Sequence, residues 1–307
     1  MHNALIESHD SQEAAREQQS SRPTSVARTY FRILWSNRKS RAGLIMFGAF
    51  IFLCIFGRAL APYSPTYSGF ATMAGPSWQH WLGTNQDGQD VLSQLLAGTR
   101  VSVLVSLSTG FIATFIAVLI GLLAGYSSGF TDDALSFLTN VFLVLPALPL
   151  LIVLASYAPG KGSVLIVLIV GLTGWPWGAR VLRAQVQSLR TRDYVVAAKL
   201  AGDSTLRILF REIFPNMLSL VMAGFLGAAQ YGLITSVGLE FLGLGNPNQI
   251  SWGSMLYWAQ NASALLQGQW AWILAPGLFI ALFGMSMVLI NFGFDQISNP
   301  RLGGTEE

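Results

Sequence analysis

Charge is scarce in this chain. Lys, Arg, Asp and Glu together make up 11% of its 307 residues, where a soluble domain carries about 25%. That excludes an ordinary soluble globule. Disorder of the bulk is excluded from the other side, because 52% of the residues are hydrophobic and mean hydropathy is +0.50. Cys54 is the one cysteine, so there is no disulfide scaffold. The histidines, His2, His9 and His80, share no ligand spacing, and His80 with Asp87 and Asp90 is not a ligand set; no metal site is expected. There is no HExxH and no GxSxG, which leaves hydrolysis without a catalytic set. There is also no GxxxxGK[ST] phosphate loop, so the chain cannot use ATP by itself. No apolar stretch lies near Met1, and a cleaved signal peptide is not expected.

Long uncharged runs are what the chain has instead. They cover Val101–Thr131, Ala134–Gly160, Gly162–Ala179, Ile213–Leu239 and Phe241–Phe294, with Ala42–Gly57 before them. About 20 apolar helical residues cross a bilayer core. The predicted spans are Ala42–Ala61, Val101–Tyr126, Leu135–Ala158, Ser163–Leu182, Met217–Leu239 and Trp270–Phe294. The expected fold class is therefore all-α, a polytopic bundle of six transmembrane helices. The chain divides into an N-terminal tail 1–41, a first helix 42–61, an outer segment 62–100, a core 101–294 with a loop at 183–216, and a C-terminal tail 295–307.

Orientation follows from the cations. Of 18 basic residues, all but Arg58, Arg100 and Lys161 fall in the two tails or around the loop between spans four and five. Basic residues are retained in the cytoplasm. Both termini and that loop are expected there, in a multi-pass protein of the plasma or inner membrane. Arg58 and Arg100 are expected to snorkel to the outer headgroups. Asp132 and Asp133, in the turn between spans two and three, are expected to be solvated. The basic residues track topology rather than a groove, so lipid is an expected partner and nucleic acid is not.

The loop from Arg183 to Asn216 is too long for a plain connection. Asp193–Leu200 is Ala-rich and favours helix. Gly202 stands where a glycine ends one, and Asp203 or Ser204 can cap the next. Leu206, Ile208, Leu209, Phe210 and Ile213 then present apolar surface, with Arg207 and Arg211 four residues apart. Pro215 is expected to stop this helix before Met217 opens a span. Apolar surface outside the membrane marks a partner site.

Ala197, Ala198, Gly202 and Pro215 resemble the EAA loop of ABC-importer permeases. Tyr194–Asn216 is similar to the second permease of the dipeptide, oligopeptide and nickel importers. The likeness extends in order through Leu82–Val103, Gly238–Gly245, Ser251–Leu256, Pro276–Leu278 and Asn299–Leu302. Departures are Val196 for a Glu, Glu212 for a His, Asn140 for an Asp, and Asn85 and Gln89 for an Asp and an Arg.

The resemblance implies the type I ABC-importer permease fold. It implies a second permease as heterodimer partner, two ABC ATPases docked from the cytosol and an extracytoplasmic solute-binding protein. This chain would be no enzyme and would bind no cofactor; ATP and Mg would be used by the ATPases. Ser204–Phe214 would be the coupling helix. Leu206, Leu209, Phe210 and Ile213 would fill an ATPase cleft, and Arg207 and Arg211 would pair with its acids. Translocation-path candidates are Asn140, Pro146, Pro149 and Glu240. The prolines kink span three. Glu240 either marks the path or sits in interfacial water. The implied solute is a di- or oligopeptide, with oligosaccharide and metal chelate as alternatives. Trp252, Tyr257, Trp258, Trp270 and Trp272 fit sugar stacking or an interfacial belt equally well. An ion-coupled secondary transporter is the rival from another class. It would want charges or broken helices at mid-membrane, and the predicted spans hold almost no charge.

Overall fold

The computed structural model describes residues 34–158 and 162–298. These are helices joined by turns and loops, with no strand among them, so the fold is all-α as expected. Most of the N-terminal tail, Lys161 and the Asn299–Leu302 motif lie outside the described residues. Five helices are long and apolar enough to cross a membrane, and a sharply bent pair supplies a sixth span if counted as one.

Helix α1 spans Arg38–Leu60. It starts before the expected Ala42 because Asn37 caps it, accepting from the Lys39 and Ser40 N–H groups at 2.8 and 3.1 Å. Helix α2 runs unbroken from Val91 to Tyr126. The span predicted from Val101 thus begins at Val91. Asp90 caps the whole element, accepting from Ser93 N–H and Ser93 Oγ at 2.8 and 2.7 Å. Nothing between Val91 and Val101 breaks it.

Span three departs most from expectation. Leu135–Ala158 is not one kinked helix but two, α3 (Phe130–Val144) and α4 (Ala147–Tyr157), bent by 88°. Pro146 has no N–H to continue α3 and holds Leu145 extended, at ψ 130°. Helices α5 (Ser163–Thr173) and α6 (Pro176–Leu189) form the next span, with Gly174 and Trp175 between them. Past the loop, α9 (Leu218–Phe241) crosses back. Then come α10 (Trp252–Asn261), closed at its start by a Ser251–Ser254 capping box, and α11 (Trp270–Ser298). Pro276 lies inside α11 without ending it, as neighbouring helices permit in a span.

Lipid is as apolar as leucine, so close backbone approach has to hold the spans together. A Cβ on Gly110 would sit 2.7 Å from the Ala229 Cβ of α9. One on Gly125 would sit 2.6 Å from the Val186 Cβ of α6. Ser106 Oγ adds a bond to the Ala229 carbonyl, 2.8 Å.

The segments at 61–90 and 242–269 meet at one end of the bundle, where Gln269 Nε2 donates to the Met73 carbonyl at 2.5 Å. The loop after α6 lies at the other end, beside the C-terminus of α2. Trp252 and Trp272 are not at an interface. They are 0% and 1% exposed, and Trp252 packs among Phe50, Phe279 and Phe283 with ring centroids about 6 Å apart. Neither is available to a sugar.

Candidate docking surface and pathway residues

Helix α7 covers Asp193–Leu200, and Ala201 follows it at the C-cap. Gly202 has φ +84°. Its N–H donates to the Lys199 carbonyl at 3.2 Å, and the Asp203 N–H donates to the Ala198 carbonyl at 3.1 Å. That is the double closure of a Schellman turn. Open space surrounds Gly202, so the glycine serves backbone conformation and not packing. Ser204 is at the next N-cap without a side-chain bond. Asp203 is taken by Arg207, whose Nη1 donates to it at 2.8 Å in an exposed pair.

The second helix does not stop at Pro215. It begins as α8 (Thr205–Arg207), widens into a π-turn over Ile208–Ile213, tightens to 3₁₀ over Phe214–Met217 and continues into α9. Pro215 cannot donate to the Arg211 carbonyl, and the altered turns absorb that lost bond. Asn216 Nδ2 donates to the neighbouring Glu212 carbonyl at 2.6 Å.

Burial divides the loop's apolar residues into two faces. Leu209 and Ile213 are 2% and 0% exposed, so neither can fill an ATPase cleft as expected. With Ile208 they pack on Val195, Leu182, Val186 and Leu189. The π-turn and the underside of the bundle take this face. Leu206 and Phe210 face outward, 65% and 54% exposed, and Leu200 joins them at 83%. Val196 and Tyr194 are also exposed. Ala197 and Arg211 are exposed and Ala198 half-buried. The outer face is thus Leu200, Leu206 and Phe210, with Arg207 and Arg211 beside it. Leu200 was missed; its signal was a large apolar side chain directly before the glycine turn.

Asp133 is exposed as expected, but Asp132 is half-buried. Arg183 grips it with two bonds, Nε to Oδ1 at 2.7 Å and Nη2 to Oδ2 at 2.8 Å. Ser136 Oγ also donates to it at 3.0 Å. Arg190 Nη1 donates to the carbonyls of Gly125, Tyr126 and Ser127 at the end of α2.

The path candidates are not brought together. Asn140, Pro146 and Pro149 are exposed on α3, at the bend and on α4. Glu240 is at the far end of α9, where it accepts from Ser251 Oγ at 2.5 Å and packs against Gly245 and Gly253. It is half-buried and lines a small cleft with Asn246, Ser254 and Tyr257. Near it a cleft of about 200 Å³ opens between the two outer segments, lined by Asn85, Asp87, Gln89, Asn248 and Trp258 among others. His80 is buried and bonds Asp90 through Nδ1 at 2.9 Å. Among the described residues no three His, Cys, Asp or Glu side chains group to hold a metal.

A family model described as "binding-protein-dependent transport system inner membrane component" matches residues 117–304. A second, described as the N-terminal transmembrane domain of oligopeptide transport permease C, matches residues 25–77. The chain is 34% identical to the dipeptide transport system permease protein of Escherichia coli, covering 91% of this chain and 95% of that protein. It is 30% identical to the di/tripeptide transport system permease protein of Pseudomonas aeruginosa, over 87% and 89% of the two chains. It is 29% identical to the oligopeptide transport system permease protein of Bacillus subtilis, over 87% of each.

Proposed function

Because this chain belongs to the family of binding-protein-dependent transport system inner membrane components, we propose that it is one permease of an ATP-driven importer of di- and oligopeptides. A second permease completes the translocation path. Two ABC ATPases dock from the cytosol, one of them on this chain's loop at 183–216, and use ATP and Mg; this chain binds no cofactor. An extracytoplasmic protein delivers solute to the end formed by 61–90 and 242–269. Both termini and the docking loop are cytoplasmic. The names of the relatives support peptide as the solute.

One observation carries the docking assignment. Leu200, Leu206 and Phe210 stand exposed on a loop whose inner face is fully packed. Exposed side chains of this size outside a bilayer mark a partner site. The loop is seated on the bundle through Ile208, Leu209 and Ile213, so force applied to its outer face reaches the spans.

The test is co-purification. Leu206→Asp and Phe210→Asp are expected to leave the permease pair inserted and assembled but stripped of ATPase. Full ATPase recovery with both variants would overturn the assignment. Uptake of a labelled tripeptide by the reconstituted complex, against a labelled trisaccharide, tests the solute.

A further inference from the structure

Two helix interruptions divide spans three and four. One is the 88° bend at Leu145–Pro146, between α3 and α4. The other is Gly174–Trp175, between α5 and α6. The pieces on either side belong to different cores. Helices α4 and α5 pack through Leu151, Ile166 and Val170, with Leu239. Helix α6 packs through Ala179, Leu182 and Val186 on Ala117 and Leu122 of α2, with Leu209 and Ile213 of the docking loop. The interruptions touch each other: Phe142, just before the bend, lies against Trp175 with ring centroids 5.4 Å apart.

Helix α3 is fixed to α6 a second time, at its other end. The guanidinium of Arg183 and the carboxylate of Asp132 meet in a two-bond fork at 2.7 and 2.8 Å. Among the described residues it is the only side-chain hydrogen-bonded link from α3 to another element. A bidentate fork fixes direction as well as distance. The Asp132 side chain is 17% exposed, so salt screens the pair less than a surface pair.

We propose that Arg183 is a positioning residue for energy coupling. With Asp132, and with Phe142 on Trp175, it lashes α3 to α6. The docking loop, α6 and α3 then turn as one lever about the two interruptions, while α4 and α5 stay with the other core. The inference rests on the docking assignment above. It supplies what coupling between distant sites requires, a discrete element that both ends bias. Without the fork, the docking loop and α6 would still move, and α3 would lag behind them.

The complete transporter in liposomes, with both permeases, the ATPases and the binding protein, tests this. Arg183→Gln and Asp132→Asn are expected to keep the ATPases bound and the basal ATPase rate unchanged. Labelled tripeptide taken up per ATP is expected to fall about tenfold. The charge exchange, Asp132→Arg with Arg183→Asp, is expected to recover coupling to within about threefold of the original. Should the exchanged chain not fold, Asp132→Cys with Arg183→Cys in a Cys54→Ala chain takes its place. Joined by a short bis-maleimide it should couple, and unjoined it should not. Native uptake per ATP in either single variant overturns the proposal. So does loss of the ATPases from those variants, since the pair would then belong to the docking platform itself. Failure of both the exchange and the cross-link to restore coupling also overturns it. A failed docking assignment reads differently: Leu206→Asp would leave the ATPases bound whatever the Arg183 variants do.

Discussion

Asn85 donates through its side-chain amide to Gln89 Oε1 at 3.0 Å, inside the outer segment that precedes α2. The two positions are those where the importer permeases it resembles often have Asp and Arg. In this chain the two form a neutral amide pair. Asn85 Oδ1 also accepts from the Asp87 and Gln89 N–H groups, each at 2.9 Å, and so closes the turn. Asn85→Asp alone places a carboxylate 3% exposed against the amide oxygens of Gln89 and Gln94. It is expected to cost about 3 kcal/mol. Asn85→Asp with Gln89→Arg is expected to recover most of that. Unfolding in detergent micelles, followed by tryptophan fluorescence, measures both; an equal loss in the single and double variants would show that the pair is not read as a unit.

The two faces of the docking loop predict opposite behaviour for neighbouring leucines. Leu209→Ala opens a void in the packing beneath α6 and should cost about 2–5 kcal/mol. Leu206→Ala should change stability by no more than about 0.5 kcal/mol yet weaken ATPase binding. The same unfolding assay, run beside ATPase co-purification, separates the two. Equal stability losses would mean that Leu206 is packed after all.

Trp272 and Trp270 make a similar contrast at the head of α11. Trp272 is 1% exposed and Trp270 is 58% exposed. Trp272→Ala is expected to cost about 3–5 kcal/mol and Trp270→Ala about 0.5 kcal/mol or less. Comparable midpoints in an unfolding titration would return Trp272 to an interfacial belt.

The spans were legible because a bilayer tolerates almost no charge, and runs such as Ala42–Gly57, inside α1, record that directly. The Gly202 turn was legible because only a positive φ closes a helix that way without strain. The partition of Leu206 from Leu209 was not, since both are large, apolar and on one short helix. A π-turn and the underside of the bundle decide it, and neither leaves a pattern in the chain. Arg183 and Asp132 lie 51 positions apart, and charge alone does not reveal a partner at that distance. Prolines in spans read as mild kinks, whereas Pro146 marks an 88° break. The unusual feature there is how little of α3 is packed: Thr139 is its one fully buried residue.

Pro215 tests which force sets the loop's register. It denies the Arg211 carbonyl a donor, and the π-turn at Ile208–Ile213 lies directly before it. If the missing N–H alone causes the π-turn, Pro215→Ala lets an ordinary helix form. Removing the extra residue of that turn would rotate Leu206 and Phe210 by about 100° relative to α9, and the ATPase would lose its surface. The competing force is burial. Ile208, Leu209 and Ile213 are each no more than 2% exposed, and each buried side chain of that size stabilises by about 1.5–3 kcal/mol. Together they exceed one backbone hydrogen bond, worth about 1 kcal/mol net. Burial should therefore win. Pro215→Ala is expected to shift stability by about 1 kcal/mol or less and to keep the ATPases bound. Pro215→Ala combined with Leu209→Ala removes part of the anchor and should release the register, so that ATPase co-purification falls well below that of either single variant. Loss of ATPase with Pro215→Ala alone would show that the proline, and not the buried face, holds Leu206 and Phe210 in place.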